Sequence, residues 1–213
     1  ATADRMVDKA DIKEGMTVLE PSAGNGNIAD AIKRAGTIPD VVELSSDLAN
    51  ILKAKGYPVI ANDFMDLNDV TYDRIVMNPP FSNGADGEHV QHAYELLKPG
   101  GRIVAIVGEG SFIRSDKKAT AFREWLEEIG ATDEKLENRT FNDRKLLNTT
   151  GANARIVVID KLDNDNSDGN KRSLFSKRNT NNNSDNLNEN SIFAGNGNNL
   201  LQSIPQGKFG EED

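Results

Sequence analysis

The chain has 213 residues, no cysteine, and a formal net charge of −9 from 25 Lys and Arg against 34 Asp and Glu. These values exclude a uniformly basic nucleic-acid coat, disulfide bonds, thiolate metal sites and a cysteine nucleophile. The longest uninterrupted apolar run, Ile103 to Val107, is far too short to span a membrane, and no export signal opens the chain. We therefore expect a soluble, cytoplasmic protein with no membrane partner. The chain begins at Ala1 instead of Met, which is compatible with a missing upstream piece.

Apolar runs and amphipathic stretches alternate along most of the chain. Short runs rich in β-branched residues predict strands at residues 16–20, 40–44, 57–61, 73–77, 101–107 and 155–159. Amphipathic stretches that end at Gly or Pro-Gly predict helices at residues 28–35, 47–55, 88–97 and 119–129. Because most strand runs are continuously apolar, we expect a parallel sheet that helices cover on both faces. The last run follows a segment without a clear helix and can therefore enter the sheet antiparallel, as a hairpin partner.

The composition changes near residue 162. Residues 1–161 have the size of one ordinary domain. Residues 162–213 are rich in asparagine and glycine, which cannot bury enough apolar surface to offset the entropy cost of ordering. We predict a working domain over residues 1–161 and a disordered tail over residues 162–213.

A glycine turn follows the first predicted strand. Gly24 and Gly26 can take backbone angles that are closed to other residues, so a ligand can approach the main chain. The following helix points free N–H groups and its positive dipole end at such a ligand. Glu43 ends the next strand, where a carboxylate suits the two hydroxyls of a ribose. The pattern favours a nucleoside ligand, a dinucleotide included, over a plain strand-to-helix turn.

The segment Asn78-Pro79-Pro80-Phe81 follows the fourth predicted strand. Two prolines at the end of a strand fix an extended backbone, and their carbonyls are then held at the edge where ligands bind in open parallel sheets. The side-chain oxygen of Asn78 and the main-chain oxygen of Pro79 can together accept both N–H groups of an exocyclic amine. Phe81 can stack on the ring that bears this amine. The alternative is a rigid turn, since Asn-Pro commonly opens turns.

Taken in chain order, these motifs and Asp63-Phe64 resemble the class I S-adenosylmethionine-dependent methyltransferases. The resemblance covers about residues 5–161 and is closest to the N6-adenine DNA methyltransferases of restriction-modification systems and mobile elements. It implies a Rossmann-like, seven-stranded, mostly parallel sheet with an antiparallel last strand and helices on both faces. It also implies methyl transfer from S-adenosylmethionine to the N6 amine of a flipped adenine in DNA.

The resemblance also assigns roles to individual residues. The implied cofactor site consists of Glu20, Pro21, Ser22, Gly24, Asn25, Gly26, Glu43, Leu44, Asp63, Phe64 and Asn78. Residues 20–26 line the methionine part, Glu43 takes the ribose, and Asp63 and Phe64 meet the adenine ring. The implied catalytic residues, which hold the target amine, are Asn78, Pro79, Pro80 and Phe81.

Two features of the family have no clear counterpart. Only residues 1–10 remain of the segment that closes over the methionine end, and neither the body nor the tail offers a convincing target-recognition region. A separate recognition subunit or domain is therefore one of the expected partners. Candidate phosphate contacts, with ordinary surface charge as the alternative, are Arg114, Lys117, Lys118, Arg139, Arg144 and Lys145.

Other candidate residues carry weaker signals. His89 and His92 share a helical face, which we interpret as solvated, and we predict no metal site. Phe122 and Trp125 lie at core spacing and are predicted to pack inside the domain.

Three classes of function remain open at this point. The first is methyl transfer to DNA adenine. The second is the same chemistry on adenine or guanine in RNA, or on a glutamine side chain in a protein. The third is a nicotinamide-dependent or non-catalytic nucleoside-binding domain, which predicts nothing special at residues 78–81.

Overall fold

The computed structural model describes residues 2–136 and 153–163. The α-helices are α1 (Thr2–Ala10), α2 (Asn27–Arg34), α3 (Ser46–Ala54), α4 (Ala85–Glu95), α5 (Gly110–Ile113) and α6 (Lys117–Glu128). The strands are β1 (Val18–Pro21), β2 (Asp40–Val42), β3 (Val59–Ala61), β4 (Tyr72–Met77), β5 (Leu97–Gly108), β6 (Thr132–Lys135) and β7 (Ala154–Asp160). Short 3-10 turns lie at Phe64–Asp66 and Ser82–Gly84.

Two predictions fall on chain that the structure does not describe. Apart from residues 162 and 163, the predicted Asn-rich tail lies outside the described residues, and so do Arg139, Arg144 and Lys145. The predicted domain division therefore stays a prediction.

The strands form one seven-stranded sheet in the order β3-β2-β1-β4-β5-β7-β6. Neighbouring strands from β3 through β5 pair in parallel, and β7 pairs antiparallel with both β5 and β6. The predicted fold class, including the antiparallel last strand, is confirmed. The strand order reverses between β1 and β4, and open parallel sheets bind ligands beyond the carboxyl ends of the strands at such a point.

Apolar clusters cover the two faces of the sheet. The cluster on one side contains Phe122 and Trp125 of α6, whose rings stack with centroids 5.9 Å apart, so their predicted place in the core is confirmed. The cluster on the other side contains the apolar face of α1 and α2. Within the described ranges, no helix has the length and apolar character needed to cross a membrane.

Helix α1 was not predicted from the sequence. Its buried residues recur at helical spacing, at Ala3, Met6, Val7 and Ala10. Two arginines of the sheet bind its last carbonyl groups: Arg74 Nε donates to the oxygen of Ala10 at 2.6 Å, and Arg102 Nη1 donates to that of Lys9 at 3.0 Å. The helix therefore depends on tertiary contacts that a nine-residue segment does not display by itself.

The predicted bounds of α4 were wrong at both ends. The helix spans Ala85–Glu95 instead of residues 88–97, and β5 already begins at Leu97. Pro99 and Gly100 lie in an irregular part of β5, where the register with β4 shifts between Tyr72 and Arg74. The N–H of Gly100 donates to the oxygen of Lys161 at 2.8 Å, so the Pro-Gly pair shapes the start of the strand and does not end the helix.

Candidate active-site cleft

A cleft of about 560 Å³ opens at the carboxyl ends of β1 to β4. Twelve of the fourteen predicted site residues line it: Glu20, Ser22, Gly24, Asn25, Glu43, Leu44, Asp63, Phe64, Asn78, Pro79, Pro80 and Phe81. Pro21 and Gly26 do not line it; Pro21 is the buried last residue of β1, and Gly26 is the N-cap of α2. The roles assigned to all of these residues stay predictions.

The glycine turn has the backbone shape that its sequence predicts. Gly24 and Gly26 have φ angles of 55° and 79°, in the left-handed region that favours glycine. A β-carbon at Gly26 would lie 2.8 Å from Cδ2 of Leu52 in α3, so no other residue fits there without displacing that side chain. Ser22 also has a positive φ, of 59°, and turns the chain out of β1 toward the cleft.

Glu43 fastens the glycine turn to the end of β2. Its Oε2 accepts a hydrogen bond from the N–H of Gly24 at 2.7 Å, and its Oε1 accepts one from the N–H of Ser45 at 2.8 Å. The residue is 8% exposed, so it is not a solvated strand end. Each carboxylate oxygen can accept a further hydrogen bond, which leaves Glu43 able to bind a pair of hydroxyl groups.

A second set of side chains braces the glycine turn from α2 and α3. Lys55 Nζ donates to the main-chain oxygen of Asn25 at 2.7 Å and to Asp30 Oδ2 at 2.9 Å. The hydroxyl of Tyr57 donates to Asp30 Oδ1 at 2.6 Å. This network ties the carbonyl of Asn25 to Asp30 of α2, and nothing in the sequence predicts it.

Glu20 places a carboxyl group inside the wall of the cleft. The residue is 2% exposed, and its Oε2 has no hydrogen-bond partner among the described residues. Burial raises the pKa of Glu20 well above its ordinary value, and the nearby acids Asp30 and Glu43 raise it further, while a backbone hydrogen bond from Ala29 opposes the rise. A buried acceptor without a partner is costly, so the group is suited to a ligand that brings a positive charge or a donor.

Apolar side chains line the β2–β3 side of the cleft. Phe64 is buried behind it, whereas Leu44 and Met65 expose 74% and 41% of their surface. Asp63 begins the turn that carries Phe64, and its Oδ1 accepts a hydrogen bond from the N–H of Met65 at 2.9 Å. The large exposure of Leu44 is unfavourable in water, and a flat ring bound between these side chains would cover it.

The Asn-Pro-Pro-Phe segment forms the wall of the cleft beyond β4. Pro79 is buried, Pro80 is exposed, and Asn78 and Phe81 are half-buried. The ring of Phe81 packs on β5: a β-carbon at Gly108 would lie 3.2 Å from Phe81 Cγ.

A buried carboxylate that the sequence did not reveal joins this wall to β5. Asp86 in the first turn of α4 is 1% exposed and accepts hydrogen bonds from the N–H of Gly108 at 2.9 Å and the hydroxyl of Ser111 at 3.1 Å. Burial raises the pKa of Asp86, although these hydrogen bonds oppose the rise. Asp86 therefore fixes the start of α4 relative to the strand on which Phe81 packs.

The interpretation of the two histidines as a solvated face was wrong. His89 lines the cleft with its ring centroid 5.5 Å from that of Phe64, and His92 packs edge-on to Phe64 and contacts the oxygen of Leu67 at 2.9 Å. Burial lowers the pKa of His89, so its ring is neutral near pH 7. Asp86, His89 and Ala93 lie on one face of α4, but two of the three are polar, so the spacing alone does not predict that this face is covered.

Further lining residues without a sequence signal are Ala23, Asn27, Ile28, Val42, Leu48, Asn62 and Met65. Over the ranges 2–136 and 153–163, no group of three or more His, Asp or Glu side chains could hold a metal ion.

Replacing Glu20 is expected to stabilise the ligand-free protein at high pH. A raised pKa means that the carboxyl group contributes its stability below the ordinary pKa of 4.5, and that this contribution is lost as the pH rises through the raised value. Glu20→Gln should therefore raise Tm at pH 8 and change it little at pH 5, as followed by circular dichroism. Glu14→Gln, the same change at an exposed residue, is the control and should leave Tm unchanged. A lower Tm for Glu20→Gln at pH 8 would contradict the burial argument.

We compared the chain with known proteins by sequence and by fold. No family model matches the chain. Two curated proteins, both named "Probable ribosomal RNA small subunit methyltransferase A", from Methanosarcina acetivorans and Methanosarcina mazei, are each 32% identical over 84 residues. The match covers 37% of this chain, which spans only 31% of the length of these relatives.

Solved structures resemble the chain over most of its described length. TrmN from Thermus thermophilus aligns with a TM-score of 0.54 at 23% identity, over 75% of this chain and 48% of that protein. The M protein of the type I restriction enzyme EcoKI aligns with a TM-score of 0.62 at 15% identity, over 75% of this chain and 42% of that protein. At these identities the likeness concerns the fold, and the chain has the Rossmann-like fold of these methyltransferases.

Proposed function

We propose that the chain is an S-adenosylmethionine-dependent methyltransferase that acts on the exocyclic N6 amine of adenine in DNA. The observation that carries the proposal is the composition of the cleft. Its β1–β3 side presents the glycine turn, Glu43 and Asp63, and its β4 side presents Asn78 to Phe81. The residues predicted to bind a nucleoside and those predicted to bind an amine thus line one cavity.

The residues of the β1–β3 side fit S-adenosylmethionine. The unpartnered, buried Oε2 of Glu20 suits a positively charged methionine end, and Glu43 already holds its carboxylate in a fixed orientation for ribose hydroxyls. Leu44, Phe64 and Met65 offer apolar surface for the adenine ring. A cleft of about 560 Å³ lies within the size range of sites for such ligands.

The chemistry asks the protein mainly for alignment and exclusion of water. When bound, S-adenosylmethionine would supply an electrophilic methyl group: the carbon–sulfur bond breaks as the carbon–nitrogen bond forms, a neutral thioether leaves, and the methylated amine releases one proton to water. Asn78 and the carbonyl of Pro79 accept the two N–H groups of the amine, which draws the nitrogen lone pair out of the ring and toward the methyl group. Phe81, held on β5 through Gly108, stacks on the adenine and fixes its plane. Because duplex DNA hides the amine, the target base must be flipped out or already unpaired.

RNA adenine is the second candidate substrate. It is favoured by the two relatives that share 32% identity with this chain, whose name refers to ribosomal RNA. The EcoKI M protein, which belongs to a DNA restriction enzyme, supports the first candidate by fold alone. The grip on the amine is the same for both nucleic acids, so the choice between them requires a transfer experiment.

Labelled S-adenosylmethionine offered together with DNA, RNA and protein pools tests the substrate. We expect the label in DNA. After digestion of the DNA to nucleosides, the label should be in N6-methyl-2′-deoxyadenosine. Label in RNA adenine would replace DNA by the second candidate. Label in protein, or none in any pool, would overturn the proposed substrate.

Calorimetric titration tests the cofactor. We expect binding of S-adenosylmethionine or its demethylated product, with weaker or no binding of NAD. Glu43→Ala removes hydrogen bonds to a charged acceptor, each of which contributes about 1.5–3 kcal/mol, so affinity should fall roughly 10- to 100-fold. Glu14→Ala, at an exposed residue, is the matched control. NAD binding as tight as that of the methyl donor would favour the nicotinamide class instead.

Asn78→Ala tests the grip on the amine. Loss of a hydrogen bond that acts in the transition state costs about 2.7–4 kcal/mol, so transfer should slow by about a hundred- to a thousand-fold while cofactor affinity changes only a few-fold. Asn68→Ala, at an exposed asparagine outside the cleft, should transfer normally. If Asn78→Ala loses cofactor binding and transfer together, the Asn-Pro-Pro segment supports the cofactor site and does not grip the amine.

A further inference from the structure

Charge is distributed unequally along the edge of the sheet that carries the cleft. On the β2–β3 side, residues 44–52 and 62–70 contain the exposed acids Asp47, Asp63, Asp66 and Asp69 and no Lys or Arg; Lys53 and Lys55 follow residue 52, and Lys55 is paired with Asp30. On the β5 side, the exposed residues 113–118 contain Arg114, Lys117 and Lys118 against a single acid, Asp116. We call residues 113–118 the β5 rim.

The β5 rim lies directly against the end of the amine-binding segment. Lys118 Nζ donates to the main-chain oxygen of Asn83 at 3.1 Å. The Nη2 atom of Arg114 lies 3.1 Å from the position that a β-carbon on Gly84 would take. The rim therefore begins within a few residues of Phe81, on the opposite side of β4 from the acidic segments.

The four charged residues of the rim have different tasks. Asp116 is the N-cap of α6, where its Oδ1 accepts a hydrogen bond from Ala119 at 3.0 Å, and Lys118 pairs with Glu88 at 2.6 Å. Arg114 makes only an exposed ion pair, 3.2 Å from Asp116, and pairs of this kind contribute little. Lys117 makes no ion pair with any residue that the structure describes. Two cations can thus exchange water or a weak partner for a phosphate.

An apolar side chain completes the rim. Ile113 exposes 71% of its surface beside Arg114. Exposed apolar side chains next to cations pack against unstacked bases in nucleic-acid complexes, where the phosphates meet the cations. The combination is unusual on a chain with a net charge of −9, most of whose surface would repel a polyanion.

We propose that the β5 rim binds the backbone of an unpaired stretch of nucleic acid, with Arg114 and Lys117 on phosphates next to the adenine that enters the cleft. This inference rests on the proposed function and names the path of its substrate. The strand approaches over β5 because the acidic β2–β3 side repels it. Lys118 positions the turn at Asn83, and Ile113 packs against a base beside the target.

The test is binding of a fluorescent, adenine-containing single-stranded DNA oligonucleotide to the full chain, measured by anisotropy over a salt series. The double variant Arg114→Gln/Lys117→Gln removes two phosphate contacts, so the slope of log affinity against log salt should fall by about 1.4. Affinity at low salt should fall on the order of tenfold, and KM for the oligonucleotide should rise equally while kcat and cofactor affinity stay unchanged.

The matched control is Arg5→Gln/Lys53→Gln. It also removes one ion-paired arginine and one exposed lysine, but from α1 and α3, away from the cleft. The control should keep the wild-type salt slope. Three results would contradict the proposed role of the β5 rim. They are an equal loss of oligonucleotide affinity in both double variants, a wild-type salt slope in the rim variant, and no oligonucleotide binding by the wild type.

The outcomes separate this inference from the proposed function. If the wild type methylates nucleic acid and the rim variant has an unchanged KM, the proposed role of the β5 rim is wrong and the proposed function is retained. If oligonucleotide binding depends on the β5 rim but no nucleic acid is methylated, the proposed role of the rim is retained and the proposed reaction is wrong.

Discussion

The two hydrogen bonds that the carboxylate of Glu43 accepts hold the β1–β3 side of the cleft together. Gly24 and Ser45 lie just beyond β1 and β2, where neither N–H has a partner in the sheet, and each is satisfied by one oxygen of Glu43. The left-handed turn at Gly24 and the start of α3 are thereby fixed relative to each other. Folding already orients the carboxylate. A ligand with two hydroxyl groups would therefore bind without the entropy cost of ordering this side chain.

Two other buried carboxylates, those of Asp86 and Glu20, have opposite effects on stability. Asp86 is surrounded by donors from Gly108 and Ser111, so its burial contributes to the structure. Glu20 has one oxygen without any partner among the described residues, so its burial destabilises the folded chain. Strain of this kind persists where a ligand relieves it, and its position at the end of β1 agrees with the role proposed for Glu20.

Much of the fold and of the cleft could be predicted because each signal was local. Continuous apolar runs predict six of the strands but not β6, whose residues 132–135 are polar, and glycines and prolines at strand ends predict the two walls of the cleft. What the sequence did not reveal depends on tertiary contacts. Helix α1 needs Arg74 and Arg102 from the sheet, and Gly87 is tolerated in α4 because the ring of Phe122 lies against it, 3.2 Å from where a β-carbon would be. His89 is polar and lies on a helix, which predicts exposure to solvent, and only its tertiary contact with Phe64 places it in the cleft.

The arrangement of charge follows from the order of the strands. In the proposed reaction, one cleft attracts both a sulfonium, which carries positive charge, and a nucleic acid, which is a polyanion. The reversal of strand order between β1 and β4 lets separate crossovers supply the two sides. Acids can then gather beyond β2 and β3 without facing the polyanion, and cations can gather beyond β5 without facing the sulfonium. The segment from Asn78 to Phe81, which carries no charge, lies between these sides, where the proposed reaction would bring the methyl group and the amine together.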